Sequence, residues 1–456
     1  MTWIFRAIFK TITIPCEKIF ALKKKVEMAT LMDVKANYKR KHDVAENSES
    51  SEEENYESDA SEIEETPEEK RRRIAEIYLE ELQRKEAEEN ENVSHEDINA
   101  KLRQQELEAN QKIIKLLADK FDSCGLPTIY KDKNHQKPLT ALAIHDNMVF
   151  TASKDGSIVK WNLDADGNLK MVLRKKSKSK EKDPNARNHN SIINCMATNG
   201  TFLATGDDSK LVYVWKCDTL EFVKYFQGHR GPITGLTFAR NKNVLYSCSK
   251  DRSVKTWDLD QRAYVETLFG HQDTVSCITS GVSCDFITGG GRDGTVRLWK
   301  TTEEVQLVFN QSGGASIEAI DKINAELFVT VGDNGQISLW STRKKTPLCC
   351  KSLAHDKDQN GVPNWISAMA VLKCSDFVAT GSQDGQIRLW KIDPKSKVIE
   401  EIGQVPVQGF VNSLAFTEDG KYLLAAVGQE HRLGRWWRLK EAKNTLICIP
   451  IQWKTE

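Results

Sequence analysis

The sequence predicts an all-β fold: a seven-bladed β-propeller preceded by a largely disordered acidic arm with helical segments. Three observations predict it. A tryptophan recurs every 41 to 54 residues, a tight turn and an alternating apolar strand precede it, and a histidine stands upstream of most copies. The 456 residues would suit about three average domains or one repeat array, and the repeat favours the array. We expect a disordered leader and acidic tract over 1–69, a charged helical arm over 70–122 and the propeller over 127–451.

The acidic arm follows from an uneven distribution of charge. Lys+Arg and Asp+Glu cancel at 65 each, but residues 1–126 contain 21 basic and 29 acidic side chains, which leaves 44 and 36 for residues 127–456. The segment 46–69 has twelve carboxylates and no Lys or Arg. Such a segment cannot bury enough apolar surface to order its backbone, so it is predicted to be disordered.

The leader predicts no membrane span, because its longest uncharged run, 11–16, is far too short to cross a bilayer. Its basic, nearly acid-free pattern resembles a presequence, and whether residues 1–27 belong to the protein stays open. The eleven cysteines are scattered without a C-x-x-C pair and stand mostly among apolar residues. They indicate free thiols in a reducing compartment.

The segment 69–121 predicts helix, with a capping box at Ser94–Asp97 and a thin apolar stripe at helical spacing. Such a helix is either a solvent-exposed spacer or a docking element for another protein, and we favour docking. Basic runs at 39–41 and 70–73 flank the acidic tract and suit nuclear import.

The blades follow from six segments that share a turn, an alternating strand and a final tryptophan, and from a seventh, weaker copy that ends at Trp436-Trp437. A single blade cannot cover both faces of its sheet, so a closed ring is expected. Either Thr128–Tyr130 or Leu446–Pro450 could close it, and the sequence leaves both open. The six segments are 154–161, 208–215, 250–257, 292–299, 333–340 and 383–390.

The recurring histidine and turn aspartate resemble the WD40 repeat family over about residues 130–450. His229 stands 28 residues before Trp257, and Asp251 stands six residues before it. The resemblance implies a hydrogen-bonded tetrad that ties the blade together, here His229, Ser247, Asp251 and Trp257.

Some blades depart from the family pattern. The second blade has Ser209 where the aspartate belongs and the fifth has Asn334, while the fifth and seventh have no histidine at this phase. We therefore expect incomplete tetrads and lower rigidity in these blades.

No constellation of residues indicates an enzyme. The histidines fall mostly at the repeated blade phase, and the cysteines and histidines never fall at zinc spacings. The glycine-rich run 289–294 lacks the Lys-Ser/Thr ending of a phosphate loop, and 164–175 lacks the glycine of a calcium loop. We expect no catalytic residue, metal, cofactor or small-molecule substrate.

Basic residues predict an RNA interface instead. The turns between second and third strands and the histidine loops lie on one rim of a propeller, and clustered cations there would contact phosphates. The competing interpretation is an ordinary solvated face. The lysine-rich insertion 174–182 is either an electrostatic arm or a disordered loop. Segment 431–438 interleaves cations with aromatics, which suits stacking on unpaired bases, although blade packing competes for one of its tryptophans. The candidates are Lys154, Arg230, Lys250, Arg252, Arg292, His431, Arg432, Arg435 and Arg438.

A narrower resemblance rests on 264–273, 290–299 and 427–438 followed by 440–444, and on Tyr78-Leu79-Glu80 in the arm. These segments resemble the U3 snoRNA-interacting protein 2 family of WD40 proteins. The resemblance implies a nuclear, nucleolar protein that binds U3 small nucleolar RNA beside a small kink-turn-binding protein. It also implies a part in small-subunit processome assembly and pre-ribosomal RNA processing. The alternative is a purely protein-binding adaptor, such as a ubiquitin-ligase receptor or chromatin scaffold, in which the positive charge is incidental.

Overall fold

The computed structural model describes Arg73, 103–104, 107–108 and 111–454, without 132–134, 136, 177–187, 241, 282–284, 312–313, 359 and 435. Its contacts divide the chain into two units, Met1–Asn110 and Gln111–Glu456. In the first unit the described residues lie in α-helix. The acidic tract, the leader and most of the lysine-rich insertion lie outside the described residues. Within the described residues, no helix has the length and apolarity to span a bilayer.

The second unit is a seven-bladed β-propeller, which confirms the predicted fold class. Its first six blades are four-stranded antiparallel sheets whose strands follow in chain order. Numbering starts with β1 (Phe121–Cys124) and β2 (Thr128–Tyr130), which belong to the seventh blade. The strands of blades one to six are β3 Leu139–His145, β4 Met148–Ser153, β5 Ile158–Leu163, β6 Leu169–Lys175; β7 Ile193–Thr198, β8 Phe202–Asp207, β9 Leu211–Lys216, β10 Phe222–Gln227; β11 Ile233–Phe238, β12 Val244–Ser249, β13 Ser253–Asp258, β14 Ala263–Phe269; β15 Val275–Ser280, β16 Asp285–Gly290, β17 Thr295–Lys300, β18 Val305–Asn310; β19 Ile317–Lys322, β20 Leu327–Gly332, β21 Ile337–Ser341, β22 Cys349–Lys351; β23 Ala368–Val371, β24 Phe377–Gly381, β25 Gln386–Asp393 and β26 Val398–Pro406.

The ring closes through both candidate segments together. The seventh blade consists of β27 (Phe410–Phe416), β28 (Tyr422–Gly428) and β29 (Thr445–Trp453), with β1 and β2 as its outer edge. β1 pairs with residues 451–453 of β29, and β2 pairs with residues 446–448. The innermost strands then contact one another around the ring, from β3 through β7, β11, β15, β19, β23 and β27 back to β3.

The seventh repeat does not end at Trp436-Trp437, so that prediction is wrong. In the third blade Leu245 of β12 faces Trp257, and in the seventh the matching Leu423 of β28 faces Ile449 of β29. The chain between β28 and β29 is an insertion that displaces the third strand beyond the two tryptophans. The sequence pattern alone places these tryptophans at the end of the repeat.

The core lies between neighbouring blades. Among the described residues, seven apolar clusters each combine side chains of two adjacent blades, including the pair formed by the seventh and the first. The largest fully buried side chains include the repeat tryptophans Trp215, Trp257, Trp340 and Trp390. Each blade therefore covers both faces of its sheet with its neighbours, as a closed repeat requires.

Residues 111–124, which we name the strap, cross the propeller face that carries the turns between first and second strands. The backbone of Gln111 accepts from Ala325, and Lys115 bonds to Cys374. A short 3-10 helix, Ala118–Lys120, precedes β1. The predicted helix over 69–121 is therefore wrong for residues 111–121, of which only Ala118–Lys120 form a short 3-10 helix. These residues follow turns of the fifth and sixth blades and then pair with β29, because tertiary contacts outweigh their helical periodicity.

Candidate nucleic-acid interface

A hydrogen-bonded tetrad fixes one end of the third blade. Nδ1 of His229 lies 2.9 Å from Oδ2 of Asp251, and Nε2 lies 2.8 Å from Oγ of Ser247. The indole Nε1 of Trp257 donates to the same Ser247 oxygen at 2.8 Å. Burial raises the pKa of Asp251, but hydrogen bonds from His229 and Ser253 outweigh it, so the pKa lies well below its usual value. The carboxylate therefore stays ionised and holds the turn 250–252.

The fourth and sixth blades carry the same arrangement, with each of the three distances at 2.8 or 2.9 Å. In the first blade a histidine bonds to a serine and a threonine in the same place. The residues are His271, Asp293, Thr288 and Trp299; His355, Asp384, Thr380 and Trp390; and His135, Ser157 and Thr151.

The second blade also has a tetrad, contrary to expectation. Nδ1 of His189 lies 3.3 Å from Oδ2 of Asp207, which stands at the end of β8, two residues before Ser209. Thr205 completes the set, since it contacts His189 at 2.7 Å and accepts from Trp215 at 2.9 Å. The Asp207 carboxylate at the end of β8 contacts the histidine atom that the turn aspartate contacts in other blades. The tetrad is therefore complete although Ser209 occupies the turn position.

The tetrads define a face of the propeller, which we name the histidine face; it carries the histidine loops and the turns between second and third strands. Arg230, Lys250, Arg252 and Arg292 lie on it and are exposed. Among the described residues none of these four forms an ion pair, although Arg252 donates to the Gln272 carbonyl at 3.4 Å. Their positive charges are therefore available to a ligand.

Lys154 lies on the same face but is buried, with 4% of its surface exposed. Its ammonium donates to the carbonyl oxygens of His431 at 2.6 Å and Gly434 at 3.0 Å, and lies 3.6 Å from a Glu430 carboxylate oxygen. Lys154 thus anchors chain from the seventh blade, and its charge is already matched within the protein.

The anchored segment is the seventh-blade loop, residues 429–444 between β28 and β29. A second anchor crosses to the fifth blade, where Nη2 of Arg432 donates to the Glu318 carbonyl at 3.2 Å and lies 3.7 Å from its carboxylate. Burial raises the pKa of Glu318, and the Arg432 charge acts against that rise. The loop therefore spans the ring from the first blade to the fifth.

Aromatic side chains pack around His431 in the loop. The His431 ring lies 4.5 Å from the Trp365 ring and 5.9 Å from the Trp436 ring, measured between centroids. Burial, aided by the charges of Arg432 and Lys154, lowers the pKa of His431 to about 3. His431 is therefore neutral at pH 7 and offers no charge to a phosphate.

The outer part of the loop is exposed. Trp436 and Trp437 expose 58% and 42% of their surfaces, so neither packs into the blade core. Arg438 is exposed beside them, and its Nε lies 3.9 Å from Glu430. A Cβ at Gly434 would lie 1.6 Å from the Trp436 ring, so the ring's position requires glycine there. Arg435 lies outside the described residues.

A cavity of about 240 Å³ opens where the loop crosses the mouth of the central channel. Lys250 and Arg432 lie on its wall together with the acids Asp208 and Glu318. Lys250 of the third blade thus shares one concave surface with the inner part of the loop.

The structure brings the sequence-predicted residues that it describes to one face but divides them into two groups. Lys154, His431 and Arg432 hold the loop, while the remaining described candidates point to solvent. Sequence reasoning missed the acids that anchor the loop, Glu318 and Glu430, because their pairing depends on the ring. It also missed Asp207, which the pair Asp207-Asp208 at the end of a strand could have signalled.

Comparisons with known proteins agree with this architecture. The family model "WD domain, G-beta repeat" matches residues 184–216, 220–258, 262–300 and 349–391. U3 small nucleolar RNA-interacting protein 2 of Homo sapiens is 44% identical over 399 residues, which cover 86% of this chain and 83% of that protein. The solved structure of U3-55K has a TM-score of 0.66 at 41% identity and covers 71% of this chain and 98% of that chain. The RRP9 WD40 repeats have a TM-score of 0.67 at 40% identity, with 74% and 100% covered.

Proposed function

Because this chain belongs to the family of U3 small nucleolar RNA-interacting protein 2, we propose that it acts in the U3 small nucleolar ribonucleoprotein, in processing of pre-ribosomal RNA and assembly of the small ribosomal subunit. In this proposal it binds U3 small nucleolar RNA directly, beside a small kink-turn-binding protein and other processome proteins in the nucleolus. It acts as a scaffold and catalyses no reaction.

One observation carries the proposal of direct RNA binding. The seventh-blade loop is held at both sides of the channel mouth, and its outer part presents Trp436, Trp437 and Arg438 to solvent. Aromatic rings stack on unpaired bases, and neighbouring cations pair with the phosphates that follow. The anchors fix the loop before binding, which lowers the ordering cost that a flexible loop would add.

The exposed cations of the third and fourth blades extend this surface. Arg230, Lys250 and Arg292 are free of ion pairs in the described structure and lie on the same face as the loop. Each contact with a phosphate releases condensed counterions, so affinity should fall steeply with salt. The two parts together suit a folded RNA with both paired and unpaired segments.

Crosslinking followed by RNA sequencing tests the proposal in cells, with recovery of U3 small nucleolar RNA above background as the expected result. In vitro, the purified full chain should bind a U3 fragment, and exchanging Trp436 and Trp437 for Ala should weaken binding at least tenfold. Tyr264→Ala is the matched control, since this exposed aromatic lies on an outer strand of the third blade.

No enrichment of small nucleolar RNA, together with unchanged affinity in the double variant, would overturn direct RNA binding. The protein-binding adaptor, a ubiquitin-ligase receptor or chromatin scaffold, would then be the function to test.

A further inference from the structure

The face opposite the histidine face, which we name the strap face, carries a second group of cations from three distant parts of the sequence. Lys115 stands in the strap, Arg240 in the turn between β11 and β12, and Lys373 in the turn between β23 and β24; all three are exposed. The strap backbone places Lys115 beside the sixth blade, since its N–H donates to the Cys374 carbonyl at 2.8 Å. This pairing brings the backbone of Lys115 close to the turn that carries Lys373.

Arg240 lies on the same face, because its turn also joins a first strand to a second strand, and its charge acts on the thiol of Cys374. Burial raises the pKa of this thiol, and the charges of Arg240, Lys115 and Lys373 all act to lower it. Within the described structure, none of these three cations forms an ion pair. Lys112, also exposed, lies three residues before Lys115 in the strap.

Acidic groups near Lys115 and Lys373 are occupied or buried, although Asp122, farther along the strap, is exposed. Asp376 accepts the backbone N–H groups of Leu117 and Ala118 at 2.8 and 2.9 Å. Asp119 is paired with Lys391. Asp321 is buried, which raises its pKa, and it accepts from the Val371 N–H at 3.2 Å. The patch therefore presents net positive charge to solvent.

The apolar side chains of this patch indicate which polyanion would bind. Leu116, which follows Lys115 in the strap, is aliphatic and has 58% of its surface exposed. The exposed aromatic side chains of the described residues are Tyr264, Phe269, Trp436 and Trp437, and none lies in the strap or in the turns of Arg240 and Lys373. Without a ring on which a base could stack, the patch favours carboxylates interspersed with aliphatic residues.

We propose that Lys115, Leu116, Arg240 and Lys373 form a docking surface for an acidic, leucine-containing segment of a partner protein, separate from the histidine face. The protein then holds RNA on one face and a polypeptide on the other. Its strap, which closes the ring, is at the same time part of the peptide site.

The experiment uses the purified full chain and two labelled probes, a 16-residue Glu/Leu peptide and a single-stranded RNA, with binding measured by fluorescence anisotropy. K115E/R240E/K373E should weaken peptide binding at least tenfold and change RNA affinity less than twofold. R230E/K250E/R292E, with the same number of exposed charges reversed on the histidine face, should leave peptide affinity within twofold. All six positions are exposed, and equal thermal midpoints would show that both variants fold.

Leu116→Ser should lower peptide affinity about threefold, whereas Leu126→Ser, at a 90% exposed leucine just beyond β1, should have no effect. A Gln/Leu peptide of equal length should bind at least tenfold more weakly than the Glu/Leu peptide. Absence of binding to the wild-type chain, or equal losses from the two triple variants, would overturn the proposal. Loss of RNA instead of peptide in K115E/R240E/K373E would show that the strap face is an RNA surface.

Discussion

The third and seventh blades form the same kind of antiparallel sheet, with the same pairing of second and third strands, from different residues. In the third blade Leu245 faces Trp257, and Ser247 links that tryptophan to His229. In the seventh, by the same strand register, Ala425 takes the place of Ser247 and Ile449 that of Trp257. The third blade is one continuous segment, whereas the seventh takes its outer strand from the strap side of the chain.

The difference teaches what the tetrad is for. The seventh blade packs as closely without it, since Leu423 and Ile449 are both fully buried, so a sheet can form by apolar packing alone. The tetrad instead fixes the turn between the second and third strands, which has three residues in the third blade. Without a tetrad the seventh blade carries the sixteen-residue loop 429–444, and anchors from other blades hold that loop.

Removing the closing strand would affect the whole ring most strongly. Deletion of 111–124 exposes the edge of β29 and the apolar surface under Phe121, which packs against Phe377 and Trp453. We expect the cooperative thermal transition to be lost. Circular dichroism measures that transition. Deletion of 46–69 is the control and should leave the midpoint within about 2 °C. An unchanged midpoint after deletion of the strap would mean that the seventh blade is stable without its outer strand.

Breaking the third-blade tetrad should have the next largest effect. Ser247→Ala leaves the buried donor of Trp257 and the ring of His229 without their partner, which should cost about 3 kcal/mol. Urea unfolding measures this loss, and Ser352→Ala, at an exposed serine, should cost less than about 0.5 kcal/mol. Equal costs would show that the tetrad does not distinguish the two blades energetically.

The seventh-blade loop should make stability depend on pH. The pKa of His431 is lowered from 6.5 to about 3 in the folded state, so the unfolded chain binds more protons between these values and stability falls as the pH drops below 6.5. His431 should contribute a loss of about 2 kcal/mol by pH 5. His431→Phe keeps an aromatic ring between Trp365 and Trp436 and should remove that part of the difference between unfolding at pH 7.5 and 5.0. An equal pH dependence in the variant would contradict the burial of a neutral imidazole.

Removing the Lys154 anchor of the seventh-blade loop should have the smallest effect. Lys154→Met keeps the length of the buried side chain but removes its bonds to the His431 and Gly434 carbonyls. We expect faster hydrogen exchange across 429–444 and about tenfold weaker RNA binding, equivalent to about 1.4 kcal/mol. Lys397→Met, at an exposed lysine of the sixth blade, should change neither. Faster exchange with unchanged RNA affinity would separate the anchor from the proposed RNA surface.

The repeat could be predicted from the sequence because its residues recur at nearly fixed spacing. Alternation, turns and tryptophans predicted six blades correctly, and the phase of the histidines placed the candidate cations on one face. The pattern was wrong where the chain departs from its period. Trp436 and Trp437 lie in an insertion, and residues 111–121 have helical periodicity but follow the turns of other blades.

The sequence by itself determined a closed β-propeller and an aromatic, cationic segment near the C-terminal end of its repeats. The repeat and this segment are both local patterns of side chains, which the sequence shows directly. Only the tertiary structure decided that Lys154 and His431 are interior, that Asp207 replaces the missing turn aspartate, and that Lys115 lies beside Lys373. Each of these depends on the meeting of residues far apart in the chain. Closure of the ring fixes the position of Lys154 against the seventh-blade loop, and folding of the second blade brings Asp207 to His189. Spacing along the sequence shows neither contact.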